Sequence, residues 1–373
     1  MLYSIPQLQE FASNLIVQIK SSENGKKTDL AFAVNDLPKI DSVEDGQVFQ
    51  VMMMGGSHLE SALMKYNKGK AEILSFYEDE LPTLVSKEVV MEVFAKNYDP
   101  NVKFIALNFA YPLKSVTRDG ILDGILLHGT KEHTFKNLVG QTVGEEIEKY
   151  IAFTKNKQVK VSVCNDTVAL GLASLGFKKE YNQGNTIFGV VGTGFNFGSF
   201  KNDQELVNLE SGNFSHFEQS YTGKILDALS PNYSQQKLEK EVGGAYLVRH
   251  FNILANLEGF HTNLKNTKEM SELAESNQER LPGLAIEVFQ RAASLVAMHI
   301  YALYLWKQEK AEAKKDYSLL VLIEGSLFLK GYHFRQFVDE YLSALGLKKE
   351  NYHIDHFKNI GIYGAAKLAK KQD

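Results

Sequence analysis

The sequence predicts an α/β fold of two domains built on one plan, and three observations carry that prediction. The chain has 373 residues, more than one hydrophobic core ordinarily fills, so a division into two domains is expected. Strand-like and helix-like patterns alternate along it, as layered α/β structures require. Two apolar runs, 48–66 and 186–200, each enter a glycine turn and leave it as another strand-like run. Two copies of one hairpin far apart in a chain point to a repeated architecture.

The elements follow in order. Leu8, Phe11, Leu15, Ile16 and Ile19 recur at helical spacing, which predicts an amphipathic helix. No basic stretch precedes a long apolar one, so a signal peptide is not expected. After the first hairpin, 102–109 reads as a strand and 143–153 as a helix with apolar positions three and four apart. Residues 159–163 read as a strand, with a helix from 166 to about 175 after it. The polar stretch 154–158 is the expected linker between domains. Beyond the second hairpin, the apolar run 292–306 contains His299 and is bounded by Arg291 and Lys307. It is short for a bilayer and is expected to be a helix buried between layers. A charged break, 309–316, precedes a strand at 318–323. In such folds, sites lie at the carboxyl ends of the strands.

Composition narrows the function. Apolar residues make up 44 % and charged residues 23 %, ordinary values for a globular protein. The 41 Lys and Arg nearly balance 45 Asp and Glu, a net charge of −4, which argues against nucleic-acid and anionic-membrane partners. The single cysteine, Cys164, excludes an intramolecular disulfide and fits a reducing cytoplasm.

Several residues could carry chemistry. Gly192-Thr193-Gly194 has the composition of a phosphate-cradling turn, because glycine lets backbone N–H groups approach closely. The Walker pattern is absent and a strand is expected after the turn, which disfavours P-loop and Rossmann readings. Taken alone, the turn is a tight hairpin. Asn165-Asp166-Thr167 sits where a strand gives way to a helix, so the tripeptide reads as an N-cap. The tripeptide alone favours the cap over Asp166 as a general base, and the two roles are compatible because a helix N-terminus favours negative charge. Glu210, Glu239, Thr130 and Lys131 individually read as solvated polar residues.

Taken in order, these segments resemble the hexokinase family over nearly the whole chain. Leu37-Pro38 and the Asp45-Gly46 turn are similar to the family's lead-in to its first phosphate hairpin. Leu107 to Pro112 resembles the sugar-binding strand F-T-F-S-F-P, and Asp123 to Lys131 resembles the segment that follows it. Val163 to Val168 is similar to V-N-D-T-V, Gly189 to Asn196 to G-x-I-x-G-T-G-x-N, and Asn208 to Gly212 to N-M-E-W-G. Glu239-Lys240 to Leu247 resembles E-K-M-x-S-G-x-Y-L. Gln290 to Ala293, Glu324-Gly325-Ser326 and Gly364-Ala365-Ala366 resemble the R-R-A-A, D-G-S and G-A-A elements.

The resemblance implies two RNase H-like (actin-like ATPase) domains with an interdomain cleft. The implied division is 1–45 as an N-terminal helix and lead-in packing on the large domain, and 46–155 as the small domain. Residues 156–355 would form the large domain, and 356–373 a C-terminal helix returning toward the small one. It implies ATP and Mg²⁺, with Asp166 as catalytic base and Lys131 stabilising developing charge. Thr130, Asn165, Asn196, Glu210 and Glu239 would bind sugar hydroxyls. Gly55, Gly56, Ser57, Gly192, Thr193, Gly194, Gly325 and Ser326 would hold nucleotide. No dedicated protein metal ligand is expected beyond Mg²⁺ brought by the nucleotide.

The chain also departs from the family pattern. Its first hairpin reads Met52-Met53-Met54-Gly55-Gly56-Ser57-His58-Leu59-Glu60 where L-D-L-G-G-T-N-F-R is expected. Met53 replaces an acidic residue that helps organise Mg²⁺, and Glu60 replaces an arginine. Ala110 stands for a sugar-contacting serine, and Ser211 for a tryptophan. Three functions follow as expectations. The first is ATP-dependent phosphorylation of glucose or a close relative at its primary hydroxyl. The second is a catalytically weak or inactive sugar-binding sensor, and the third a kinase of another hexose or amino sugar. Oligomeric state leaves no mark in the sequence.

Overall fold

The computed structural model describes residues 2–37, 44–56, 58–68, 70–129, 133–175, 177, 181–311 and 317–369. They form two compact units. The large unit comprises residues 1–34, 178–203 and 207–356, and the small unit residues 35–177, 204–206 and 357–373.

The small unit is built on a five-stranded sheet in the order Lys70–Glu80, His58–Asn67, Val48–Met54, Phe104–Phe109, Lys160–Cys164. The first three strands run antiparallel, whereas Phe104–Phe109 lies parallel to both of its neighbours. Every residue of Phe104–Phe109 is buried, as expected of a strand covered on both faces. On one face Met52, Met54, Leu107 and Phe109 meet Val90, Met91, Phe94, Ile147 and Ile151 of helices Lys87–Asn97 and Val143–Lys155. Helices Asp166–Ser174 and Ile360–Ala366 cross on the other face, so closely that a Cβ on Gly364 would overlap the Ala169 carbonyl.

A six-stranded sheet organises the large unit in the order Ala33–Asp36, Glu205–Asn208, Phe195–Phe200, Thr186–Val191, Leu319–Glu324, Tyr352–Asp355. Its second hairpin is antiparallel, and Leu319–Glu324 is parallel to both neighbours. Setting aside the edge strand Ala33–Asp36, the two sheets share one order: a hairpin beside two parallel strands.

Two helices build most of the large unit's core. Ile5–Glu23 starts at a capping box: Gln7 N–H donates to Ser4 Oγ at 3.4 Å, and Ser4 N–H donates to Gln7 Oε1 at 2.9 Å. Its Leu8, Phe11, Leu15 and Ile19 face inward, as their spacing predicts, and pack with helix Leu281–Lys310. That second helix contains the apolar run 292–306. It is the one helix among the described residues long and apolar enough to cross a membrane, yet Ala292 to Ile300 are all fully buried in this core.

The expected division moves in two places. Helix Val143–Lys155 occupies the start of the stretch expected as a linker, and 154–158 lies wholly inside the small unit. The reason is pairing: Lys160–Cys164 lies parallel to Phe104–Phe109, so Asp166 clusters with residues 35–177 rather than with the large unit. The chain leaves the small unit after Phe177, not after residue 155. The lead-in also divides, its described residues 35–37 and 44–45 clustering with the small unit.

Candidate active site

In the small unit the site is assembled where strands Val48–Met54, Phe104–Phe109 and Lys160–Cys164 end. Asn165 caps the helix that follows, its Oδ1 accepting from Thr167 N–H at 2.9 Å. Its Nδ2 donates to the Tyr111 carbonyl at 3.3 Å, which ties the cap to the neighbouring strand end. Asp166 is the first helical residue and half-buried, with Oδ1 accepting from Thr167 N–H at 2.7 Å. The helix N-terminus thus meets the carboxylate with an aligned dipole. Cap and candidate base are thus adjacent residues, Asn165 at the N-cap and Asp166 at the first helical position.

The first glycine turn is pinned from outside its own hairpin. Tyr111 Oη donates to the Gly55 carbonyl at 2.6 Å. His133 Nδ1 accepts from Leu84 N–H at 2.8 Å, which leaves its Nε2 protonated to donate to the Gly56 carbonyl, also at 2.8 Å. Gly55 N–H donates to the His58 carbonyl at 3.0 Å and closes the turn. Nothing in the spacing of Tyr111 and His133 marks them for this role. Ser57, Thr130 and Lys131 lie outside the described residues.

In the large unit the second turn lies against the start of helix Gly244–Leu257. Gly244 N–H donates to the Gly192 carbonyl at 2.8 Å, and Ala245 N–H to the Thr193 carbonyl at 3.1 Å. A trans peptide sets its N–H opposite its C=O, so the N–H groups of Thr193 and Gly194 point away from that helix. Thr193 itself is exposed. The turn admits little bulk: a Cβ on Gly194 would sit 2.8 Å from Glu239 Oε2, and one on Gly192 3.2 Å from Gly325 Cα. Gly325 has φ of +124°, and a Cβ there would overlap the Val191 carbonyl. Ser326 opens the next helix and is exposed.

Asn196, Glu210 and Glu239 gather at the same strand ends. Asn196 Nδ2 donates to Asn208 Oδ1 at 2.7 Å, and Asn208 Nδ2 donates to Glu210 Oε1 at 2.7 Å. Asn208 therefore couples two of the expected sugar ligands. Asn196 Oδ1 accepts from Ser211 N–H at 3.0 Å, and Glu239 Oε2 from Phe195 N–H at 3.1 Å. Glu210 stands at φ of +52°, a left-handed conformation that costs energy in a non-glycine residue. Beneath it, the fully buried Ser211 Oγ pairs with His299 Nε2 at 3.1 Å between the rings of Phe195 and Phe197. Burial depresses His299 to a pKa of about 3.

Known proteins share the fold on which this geometry is built. Residues 250–370 match the family model described as Hexokinase. A hexokinase from Schistosoma mansoni complexed with glucose superposes with a TM-score of 0.79, covering 98 % of this chain and 95 % of that one at 16 % identity. A second hexokinase crystal structure gives 0.74, covering 99 % and 96 % at 18 % identity. The protein has the hexokinase fold. A ROK-family glucokinase from Streptomyces griseus, in complex with glucose and AMPPNP, shares the architecture more distantly, with a TM-score of 0.59, 86 % and 99 % coverage and 16 % identity. No curated protein matches the sequence.

Within this hexokinase fold the first hairpin's departures become spatial. Met53 lies directly across from Glu60, and Glu60 across from Glu78. Burial foremost, and then Glu78, raises the Glu60 carboxyl above its usual range, while His58 opposes the shift. Mg²⁺ takes hard oxygen ligands, so the Met53 thioether does not fit it. Two oxygens nearby in the fold do: the Asp166 carboxylate and the carboxamide of Asn108, which is fully buried with neither polar atom hydrogen-bonded.

Proposed function

We propose that the protein is a sugar kinase that transfers the γ-phosphoryl group of ATP to the primary hydroxyl of a hexose, with glucose the first candidate. The observation that carries the reading is Asp166, a carboxylate fixed at a strand-to-helix junction by the Thr167 amide and flanked by Asn165. Asp166 accepts the hydroxyl proton while the sugar oxygen attacks the γ-phosphorus. The bond from γ-phosphorus to the bridging oxygen then breaks and ADP leaves. Asn165, Asn196, Glu210 and Glu239 accept from or donate to the remaining hydroxyls. The Asn196–Asn208–Glu210 chain keeps two of them in one orientation, and charged hydrogen bonds of this kind discriminate against sugars lacking the group. The N–H groups of Thr193 and Gly194, with Gly325 and Ser326 beside them, receive nucleotide phosphates. Lys131, Thr130 and Ser57 keep the roles their motifs imply. The Asp166 carboxylate and the Asn108 carboxamide are the oxygens that would help hold a Mg²⁺ brought by the nucleotide, which would supply charge neutralisation for the phosphates. One buried thiol, Cys164, fits a cytoplasmic protein.

A coupled assay with ATP, Mg²⁺ and a panel of hexoses tests the reading. Turnover is expected with glucose or a close relative, and Asp166→Ala should lower it by roughly 10²- to 10⁴-fold with little change in sugar affinity. A second reading, a sugar-binding sensor, is favoured by one observation: Met53 facing Glu60 where the family places an acid and an arginine. Saturable glucose binding by calorimetry, without turnover above the Asp166→Ala background at any Mg²⁺ concentration, would replace the kinase with the sensor.

A further inference from the structure

Five residues occupy one row across the small unit's sheet. Glu78 is in register with Glu60, Glu60 with Met53, Met53 with Asn108 and Asn108 with Cys164. In-register neighbours project to the same face of a sheet. Leu107 and Phe109 enter the core on the opposite face, so the row faces the side where helices Asp166–Ser174 and Ile360–Ala366 pack. Asn165 and Asp166 follow directly on its last member.

The central residue of this row is anomalous. Asn108 is fully buried, and neither its Nδ2 nor its Oδ1 has a hydrogen-bond partner. Its two neighbours cannot supply one. Met53 offers only a thioether, a weak acceptor, and burial pushes the Cys164 thiol well above its ordinary pKa, leaving a weak S–H donor. A carboxamide without partners in an apolar setting is costly, and a leucine would fill the place at no such cost. Buried polar atoms of this kind mark a bound water or ion, or a functional demand.

We propose that Asn108 is a positioning residue for the Mg²⁺–nucleotide complex, supplying through a bound water the hard oxygen that Met53 lacks. The inference rests on the kinase reading above. An amide oxygen suits Mg²⁺ as a neutral donor, and Mg²⁺ keeps most of its waters, so one fixed through Asn108 orients the ion without direct coordination. Asn108 lies one strand over from Met53, in the same row, so the polar group has shifted sideways by one strand and stays at the strand ends beside Asp166.

The test uses the full chain saturated with glucose, and calorimetry of ATP binding with Mg²⁺ and with EDTA. Asn108→Leu should melt no lower than wild type, because an unpaired amide is gone. It should bind Mg²⁺–ATP about 10-fold more weakly, the lower end for loss of an outer-shell partner, with ATP affinity in EDTA unchanged. Adding Met53→Asp to Asn108→Leu should restore the Mg²⁺-dependent part, which a packing role for Asn108 would not produce. If leucine is not tolerated, Asn108→Ser, whose hydroxyl falls short of the amide's reach, gives the same comparison. Equal Mg²⁺–ATP affinity in wild type and variant overturns this proposal alone, as does equal weakening with and without Mg²⁺. A wild type that binds no Mg²⁺–ATP overturns the kinase reading with it.

Discussion

His299 shows how much a single buried side chain can say about the molecule. It sits uncharged between Phe195 and Phe197, with Nε2 on Ser211 and a pKa depressed from the ordinary 6.5 to about 3 by burial. Between those two values the unfolded chain binds the proton and the folded one does not, so stability is complete above about pH 6.5 and falls as the pH drops below it. One such group contributes at most about 1.4 kcal/mol per pH unit. Urea midpoints measured from pH 7 to 5 should therefore fall, and the fall should be shallower in His299→Gln. Equal slopes in the two proteins would refute the assignment. His250 is also depressed to about 3, but it neighbours Glu241, whose burial raises its carboxyl and works in the opposite sense. At this scale the motifs single out Asn196 and Glu210, which the fold links through Asn208. The sequence is silent on Tyr111, His133 and Asn108, because their roles depend on which distant backbone or side chain lies beside them.

Among the elements, the second turn and the N-terminal helix allow sharper statements. The turn is held by the first amides of helix Gly244–Leu257 and by the close approach of Gly192 to Gly325. Gly325→Ala forces a Cβ onto the Val191 carbonyl at a φ that L-residues rarely adopt, so the turn must shift. Nucleotide affinity should drop by at least tenfold while far-UV circular dichroism stays the same; unchanged affinity would show that the turn does not hold nucleotide. Helix Ile5–Glu23 was readable from its periodicity, since Leu8, Leu15 and Ile19 have no exposed surface. Leu15→Ala should cost about 2–5 kcal/mol, the usual range for emptying a fully buried site, read from denaturant unfolding. A loss below 0.5 kcal/mol would mean that the helix is not seated in the core. Most strand and helix ends shifted by one or two residues from the pattern, because hydrogen bonds rather than side-chain character end them, while the long helix Leu281–Lys310 starts well before the apolar run 292–306.

At the scale of the whole molecule, the repeat detected from two short hairpins extends to both sheets, each with a hairpin beside two parallel strands. Alternating patterns made that plan readable. The point of division was not, because a strand's periodicity says nothing about its partner, and the pairing of Lys160–Cys164 with Phe104–Phe109 decides where Asp166 belongs. The two repeats have since diverged in how tightly their turns are specified. In the second, a Cβ on Gly194 meets Glu239 Oε2 at 2.8 Å, whereas in the first a Cβ on Gly55 finds only the His58 carbonyl at 3.5 Å, an ordinary contact. A side chain at Gly194 would therefore have to move the Glu239 carboxylate off the Phe195 N–H, whereas at Gly55 nothing has to move. The unequal demand parallels the sequence: the second repeat has a glycine–threonine–glycine turn, and the first has Met53 and Glu60 in register beside its turn. If phosphate binding now rests mainly on the second repeat, Gly194→Ala should weaken ATP affinity by at least tenfold, and Gly55→Ala by less than threefold. Titration of ATP into both variants in the presence of Mg²⁺ decides it. Equal losses would mean that the first turn still carries a full share of the phosphate binding despite Met53 and Glu60, and that the two repeats have kept their original division of labour.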